Sequence, residues 1–168
     1  MNPDRIPGPP RKLTHEDDIG GFDSGEPALD DWLKKRSVQN ELSGASRTWV
    51  VCAGRKVVGY YTLSAGAIAH AGAPGRIKRN MPDPIPAMIL GRLAVDREFQ
   101  GQGLGTALLR DAVLRVQAAA EIVGIRAILV HAVSESAKRF YEKYGFVESP
   151  VDPLTVMIPV ADAAKLQR

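Results

Sequence analysis

The sequence predicts an α/β fold built on a mixed sheet, and three observations predict it. LGRLAV (90 to 95) is an apolar strand, QGQGLG (100 to 105) a glycine-rich turn, and TALLRDAVLRVQAAA then repeats apolar residues at helical spacing. IRAILVHAV is continuous in apolar residues, as expected of a buried strand parallel to the first. RTWVVCA and VVGYYTLSAGAIAH, on either side of Gly54, Arg55 and Lys56, read as a leading hairpin. Strand, loop, helix, strand, helix, strand is then a right-handed crossover unit appended to that hairpin.

In chain order, a Pro-rich leader (1–11, expected to be flexible) gives way to RKLTHEDD, an expected edge strand. GFDSGEPALDDWLKKRSVQNELSG reads as a helix with its lead-in. Pro27 suits its first turn, Glu26, Asp30 and Asp31 favour its positive end, and Gly44 can close it. Leu29, Trp32, Leu33 and Leu42 are expected to face the core, with Lys34, Lys35 and Arg36 nearer solvent. After the hairpin, the small residues Ser64, Ala65, Gly66 and Ala67 leave room for a ligand or for close sheet packing. Residues 71–86 carry four prolines and are expected to be a loop without regular structure, presenting Arg76, Lys78 and Arg79. The helix after the glycine turn is expected to end near Gly124. Ser134 can cap the helix ESAKRFYEKY, Gly145 can end it, and FVESPVDPLTVMIPV offers a closing strand or two before the tail 161–168.

With 168 residues, 45% of them hydrophobic, the chain is expected to form one domain, 1–168. A single cysteine, Cys52, excludes an intrachain disulfide and reads as a small core residue. No apolar run approaches the roughly 20 residues of a membrane span, and the N-terminus lacks the apolar stretch of a signal peptide, so a soluble, cytoplasmic protein without a membrane partner is expected. The net charge of +3 hides an asymmetry. Residues 32–92 hold ten basic side chains against Glu41 and Asp83, a net +8 that leaves −5 for the remainder. Such a distribution suits a polyanionic partner, and equally a solvated face of scattered charge.

The glycine turn carries the most chemistry. Glycines at 101, 103 and 105 let the chain turn sharply, and the N–H groups of Gly103 to Ala107 would stand at a helix N-terminus, where orphan donors and the dipole favour a phosphate. A dinucleotide G-x-G-x-x-G starting at Gly101 would need a glycine where Thr106 stands, and a P-loop would need Gly-Lys-Ser/Thr. Neither spacing fits. Gln100-x-x-Gly103-x-Gly105 after an apolar strand resembles the pyrophosphate loop of the GNAT superfamily of N-acetyltransferases.

That resemblance implies a splayed central sheet flanked by helices, acetyl-CoA as co-substrate and no metal. It places Gln100, Gly101, Gln102, Gly103, Leu104, Gly105 and Thr106 at the pyrophosphate, and the backbone of Leu93, Ala94 and Val95 along the pantetheine. SESAKRFYEKYGF resembles the GNAT segment whose tyrosine, Tyr141 here, lies beside the sulfur and acts as general acid. Ser134 stands where many members have an asparagine, so only its position argues for a CoA contact. A tyrosine of pKa about 10 stays protonated and can donate to a thiolate whose conjugate acid is about 8.5. Between Val57 and Val95, Asp83 is the only carboxylate, so no strong base is evident for the acceptor amine. An α-amine, at about 7.7 to 8.0, needs less help than a lysine at about 10.4. His70 and His131 could serve as bases or be structural.

FDSGEPALDDWLKKRSVQNELSGASRTWVV, GRIKRNMPDPIPAMILGRLAVD and FYEKYGF together resemble the GNAT toxins of bacterial type II toxin-antitoxin systems. That closer likeness implies acetylation of the α-amino group of aminoacyl-tRNA, a block of translation, a ribbon-helix-helix antitoxin and a homodimer. It makes Lys34, Lys35, Arg36, Arg76, Lys78, Arg79 and Arg92 the residues to meet tRNA. Two alternatives stay open on the sequence: a GNAT enzyme for a small amine or protein N-terminus, and a non-catalytic acyl-CoA-binding regulator.

Overall fold

The computed structural model describes residues 5–167, so residues 1–4 of the leader and Arg168 of the tail lie outside the described residues. The strands are β1 (Arg11–Lys12), β2 (Arg47–Ala53), β3 (Lys56–Ile68), β4 (Ile85–Val95), β5 (Ala127–His131), β6 (Val147–Glu148) and β7 (Thr155–Pro159). The helices are α1 (Pro27–Ser43), α2 (Gly75–Lys78), α3 (Leu104–Ala120), α4 (Glu135–Glu142) and α5 (Val160–Ala163). The strands form one mixed sheet in the order β1-β2-β3-β4-β5-β7-β6, with β4 and β5 parallel. This is the α/β architecture the sequence predicts. None of the described helices is long and apolar enough to cross a membrane. The chain divides into two compact units, Met1–Leu63 with Arg92–Asp111, and Ser64–Gly91 with Ala112–Arg168.

In the first unit the hairpin β2-β3 turns at Gly54, φ 65°, and a register shift between Val51 and Cys52 bends it. The expected edge strand contracts to Arg11–Lys12, because the next residues fold into a turn in which the Asp17 carboxylate accepts from Arg11 and from the Thr14 N–H. The leader is not free along its whole length: the Gly8 N–H donates to the Cys52 carbonyl at 2.9 Å. Cys52 itself is buried. Helix α1 starts with Pro27 in its first turn and ends on Gly44 in the left-handed region, φ 80°. Leu29 and Leu33 pack against Phe22, Val50, Val57 and Tyr60, with Trp32 partly buried beside them. Leu42 does not join them and is 79% exposed. It lies nine residues beyond Leu33, which at about 100° per residue is the opposite face of the helix. Ser37 fills that stripe instead, its hydroxyl donating to the Leu33 carbonyl.

In the second unit β4 pairs with β5 over Ala87–Ile89, and β4 continues to Val95. Ile68, Ile77, Ile85, Ala87, Ala127, Leu129 and Met157 form the core. The small residues of β3 have a packing reason here: a Cβ on Gly66 would come within 2.4 Å of Ile89 Cδ1. The stretch 71–86, expected to lack regular structure, contains the helical turn α2. Its residues carry no proline, so Lys78 and Arg79 can donate to the Pro74 and Gly75 carbonyls at 3.1 and 3.0 Å, and buried Ile77 pins the turn. Helix α3 stops at Ala120, short of Gly124, and leaves Ile122 and Val123 exposed. The closing segment supplies two strands, β6 and β7, and the tail coils into α5, whose Val160 N–H donates to the Arg126 carbonyl at 3.0 Å.

Candidate active site

The glycine turn lies in the first unit. Gly101 and Gly103 adopt φ 79° and 81°, a region that favours glycine, and a Cβ on either would meet nothing within 4 Å. Those two residues turn the chain. Gly105 does not, because it already belongs to α3. The expected set of donors is shorter by one: the Ala107 N–H is spent on the Gly103 carbonyl at 3.1 Å, the first bond of the helix. Ahead of that bond the start of α3 presents Leu104 and Gly105, and a helix N-terminus with its dipole favours an anion. Gln102 is exposed, whereas Leu104, Gly105 and Thr106 are half-buried. The loop therefore fits a pyrophosphate through backbone and lack of side chains.

Gln100 does something the motif alone does not disclose. Its Nε2 donates to the Val95 carbonyl at 2.8 Å and the Ser24 carbonyl at 2.9 Å, which uses both amide protons inside the protein. The same lead-in to α1 is tied at further points. Asp96 is buried, and its carboxylate accepts from Asp23 N–H at 3.1 Å and from Glu98 N–H at 3.0 Å. The Arg97 N–H donates to the Asp23 carbonyl at 2.8 Å, and its Nε to the Asp23 carboxylate at 3.1 Å. Ser24 in turn donates to Asp30 from N–H and hydroxyl at 3.0 and 2.6 Å. Asp23, Ser24 and Asp96 thus brace the glycine turn, although more than 70 positions separate the two sides of the brace. Val95, one of the strand residues expected along the pantetheine, has its carbonyl engaged by Gln100, while Ala94 is buried and Leu93 half-buried.

Among the basic residues of this unit, Lys34, Lys35 and Arg36 are exposed on α1. Arg92 is placed differently. Its guanidinium stands 4.3 Å from the centre of the Trp32 ring, and Trp32 stacks on Tyr60 at 6.1 Å. Burial lowers the pKa of Arg92, and the Tyr60 hydroxyl is occupied by the Leu29 carbonyl at 2.6 Å. The Tyr61 hydroxyl donates to the Asp111 carboxylate.

The second unit holds the tyrosine. Ser134 caps α4 by accepting the Ala137 N–H at 3.1 Å, so its oxygen has a structural duty at the position expected to face CoA. One face of the helix buries Tyr141 against Phe140 and Phe146, with ring centres 5.2 and 5.5 Å apart. Burial pushes the Tyr141 phenol pKa well above its ordinary value, and no hydrogen bond joins its hydroxyl to any of the described residues. It is a protonated, unspent donor. The two histidines are engaged: His70 Nε2 lies 2.9 Å from the Met81 and Pro82 carbonyls, and His131 Nδ1 lies 2.8 Å from the Thr155 hydroxyl. Asp83 accepts the His70 N–H at 3.1 Å. In the basic loop, Arg76 pairs with Asp162 at 2.6 Å, while Lys78 and Arg79 are exposed. Among the described residues no group of three or more His, Cys, Asp or Glu could hold a metal ion.

Comparison with known proteins agrees with this geometry. The model of the acetyltransferase (GNAT) domain matches residues 44–148. A "tRNA-acetylating toxin" of Mycobacterium tuberculosis (strain ATCC 25618 / H37Rv) is 52% identical, covering 94% of this chain and 95% of its own. A "probable toxin TacT" of Sinorhizobium fredii (strain NBRC 101917 / NGR234) is 30% identical over 89% of this chain and 88% of its own. Among solved structures, a Tyr-to-Phe variant of KacT superposes with a TM-score of 0.87 at 30% identity, covering 94% and 97% of the two chains. AtaT complexed with acetyl-methionyl-tRNAfMet superposes with 0.86 at 32% identity, covering 95% and 98%. The matched stretch takes in the glycine turn and the tyrosine helix alike, and the chain belongs to the GNAT acetyltransferase family.

Proposed function

We propose that this protein is an acetyl-CoA-dependent N-acetyltransferase toxin whose acceptor is the α-amino group of aminoacyl-tRNA. The observation that carries the reading is the 52% identity, over nearly the whole of both chains, to a tRNA-acetylating toxin. The open turn at Gly101 and Gly103 supports acetyl-CoA as donor, which the solved AtaTR structure also binds. In this reading 1–168 is a single acetyltransferase domain acting in the cytoplasm as a homodimer. A ribbon-helix-helix antitoxin restrains it, as the antitoxin AtaR binds AtaT.

The neutral α-amine attacks the acetyl carbon, an N–C bond forms, and the C–S bond breaks. Tyr141 delivers its phenolic proton to the departing sulfur, and the proton shed by the new amide nitrogen returns through solvent. Gly101, Gly103 and the first amides of α3 hold the pyrophosphate, with Leu93 to Val95 along the pantetheine. Gln100 holds the loop rather than the ligand. Lys34, Lys35, Arg36, Lys78 and Arg79, with Arg76 and Arg92 behind them, meet the tRNA. Incubating the protein with labelled acetyl-CoA and, in parallel, charged tRNA, polyamines and peptides tests the reading. Label on the aminoacyl group is expected. Label confined to polyamine or peptide would install the small-amine or N-terminal alternative, and binding without transfer the regulator.

A further inference from the structure

Arg76, Arg79, Asn80, Met81 and Arg126 line an open cavity of about 570 Å³. Three of the five lining residues are arginines and none is acidic. They are not equivalent. Arg76 is neutralised by Asp162 at 2.6 Å. Arg126, at the mouth of β5, donates Nε to the Ile77 carbonyl at 3.1 Å and Nη2 to the Arg76 carbonyl at 3.0 Å. Two of its five N–H groups are thus fixed on α2 and three remain, so its planar fork is held in place before any ligand arrives. Asn80, at φ 60°, turns the chain at the rim and follows Arg79. Lys78, two residues earlier, is not part of the lining.

We propose that Arg126 and Arg79 form a phosphate clamp for the backbone of the acceptor RNA, with the Arg76 carbonyl holding Arg126 in place. The proposal rests on the tRNA reading above, and it adds Arg126, which lies far along the chain from the basic loop. Preorganisation gives the clamp an advantage over lysines on a solvated face, because less side-chain freedom is lost on binding.

The test measures binding of deacylated tRNA across a salt series, with acetyl-CoA binding and thermal melts in parallel, for the wild type, Arg79→Gln, Arg126→Gln and Lys78→Gln. Arg79 bonds to no other described side chain, so R79Q keeps the test open even if R126Q loosens α2. Each clamp variant is expected to lower the log-log salt slope by about 0.7 to 0.9 and to weaken binding about fivefold near 0.15 M salt, with Lys78→Gln doing less. Wild-type slopes in both R79Q and R126Q, while the wild type acetylates charged tRNA, would overturn the clamp and leave the tRNA reading standing. Lost acetyl-CoA affinity with an intact tRNA slope would assign the cavity to the donor's phosphates and overturn it too. A wild type that neither binds nor acetylates tRNA would overturn the broader reading, and the clamp with it.

Discussion

At the scale of single residues, the proposed chemistry depends on a phenol kept protonated by burial. Because burial raises the Tyr141 pKa, the acid form persists above the ordinary tyrosine range, and the group cannot be what shuts transfer off as pH rises toward 9.5. The pH-rate profile is therefore expected to show only the rise from amine deprotonation, with no alkaline fall. Tyr141→Phe removes one hydroxyl from a packed ring and is expected to slow single-turnover transfer about 100-fold with acetyl-CoA affinity unchanged. An unaltered rate with chemistry limiting would reduce Tyr141 to a packing residue. Gly103→Val is expected to abolish acetyl-CoA binding, measured by calorimetry on folded protein. The space at its Cβ is open, so the objection is a β-branched residue at φ 81° and a side chain standing where the anion belongs. Normal binding by that variant would remove the phosphate seat.

Elements show where sequence reading succeeds and where it stops. Pro27 and Gly44 marked both ends of α1 because caps are local chemistry, and the hairpin at Gly54 was legible for the same reason. Leu42 faces solvent because its angle around α1, and not its apolarity, decides which side of the helix it joins. The turn α2 was hidden by its prolines, which flank it without entering it. The brace between Gln100 and Ser24 was out of reach, since nothing in either stretch names a partner some 76 positions away. Two expectations follow. Gln100→Ala removes two hydrogen bonds worth about 1 kcal/mol each, and is expected to lower Tm by several degrees and to weaken acetyl-CoA about tenfold; an affinity equal to the wild type would show that the loop holds its shape unaided. Gly66→Ala forces Ile89 aside and is expected to cost about 1 to 2 kcal/mol in denaturant unfolding. A neutral result would return the small residues of β3 to the service of a ligand.

For the whole molecule, the order of charges along the chain exposes an asymmetry that the net charge hides, and the structure divides it by use. Arg76 is spent on Asp162 and Arg92 rests on Trp32, whereas Lys34, Lys35 and Arg36 stand in solvent. Replacing those three by glutamine is expected to flatten the salt dependence of tRNA binding by up to about two to three log-log units, without touching acetyl-CoA affinity. An unchanged slope would make α1 a merely solvated face. The division of the chain into units has a consequence of its own. Each unit is assembled from two separate stretches, and β3, β4 and α3 each begin in one and finish in the other. No single break in the gene separates them: a chain cut after Leu63 lacks β4 and the glycine turn, and one cut after Asp111 lacks α4 and Tyr141. A premature stop codon at the first boundary therefore removes the donor loop, and one at the second keeps that loop but removes the proposed acid, so either truncation is expected to abolish transfer.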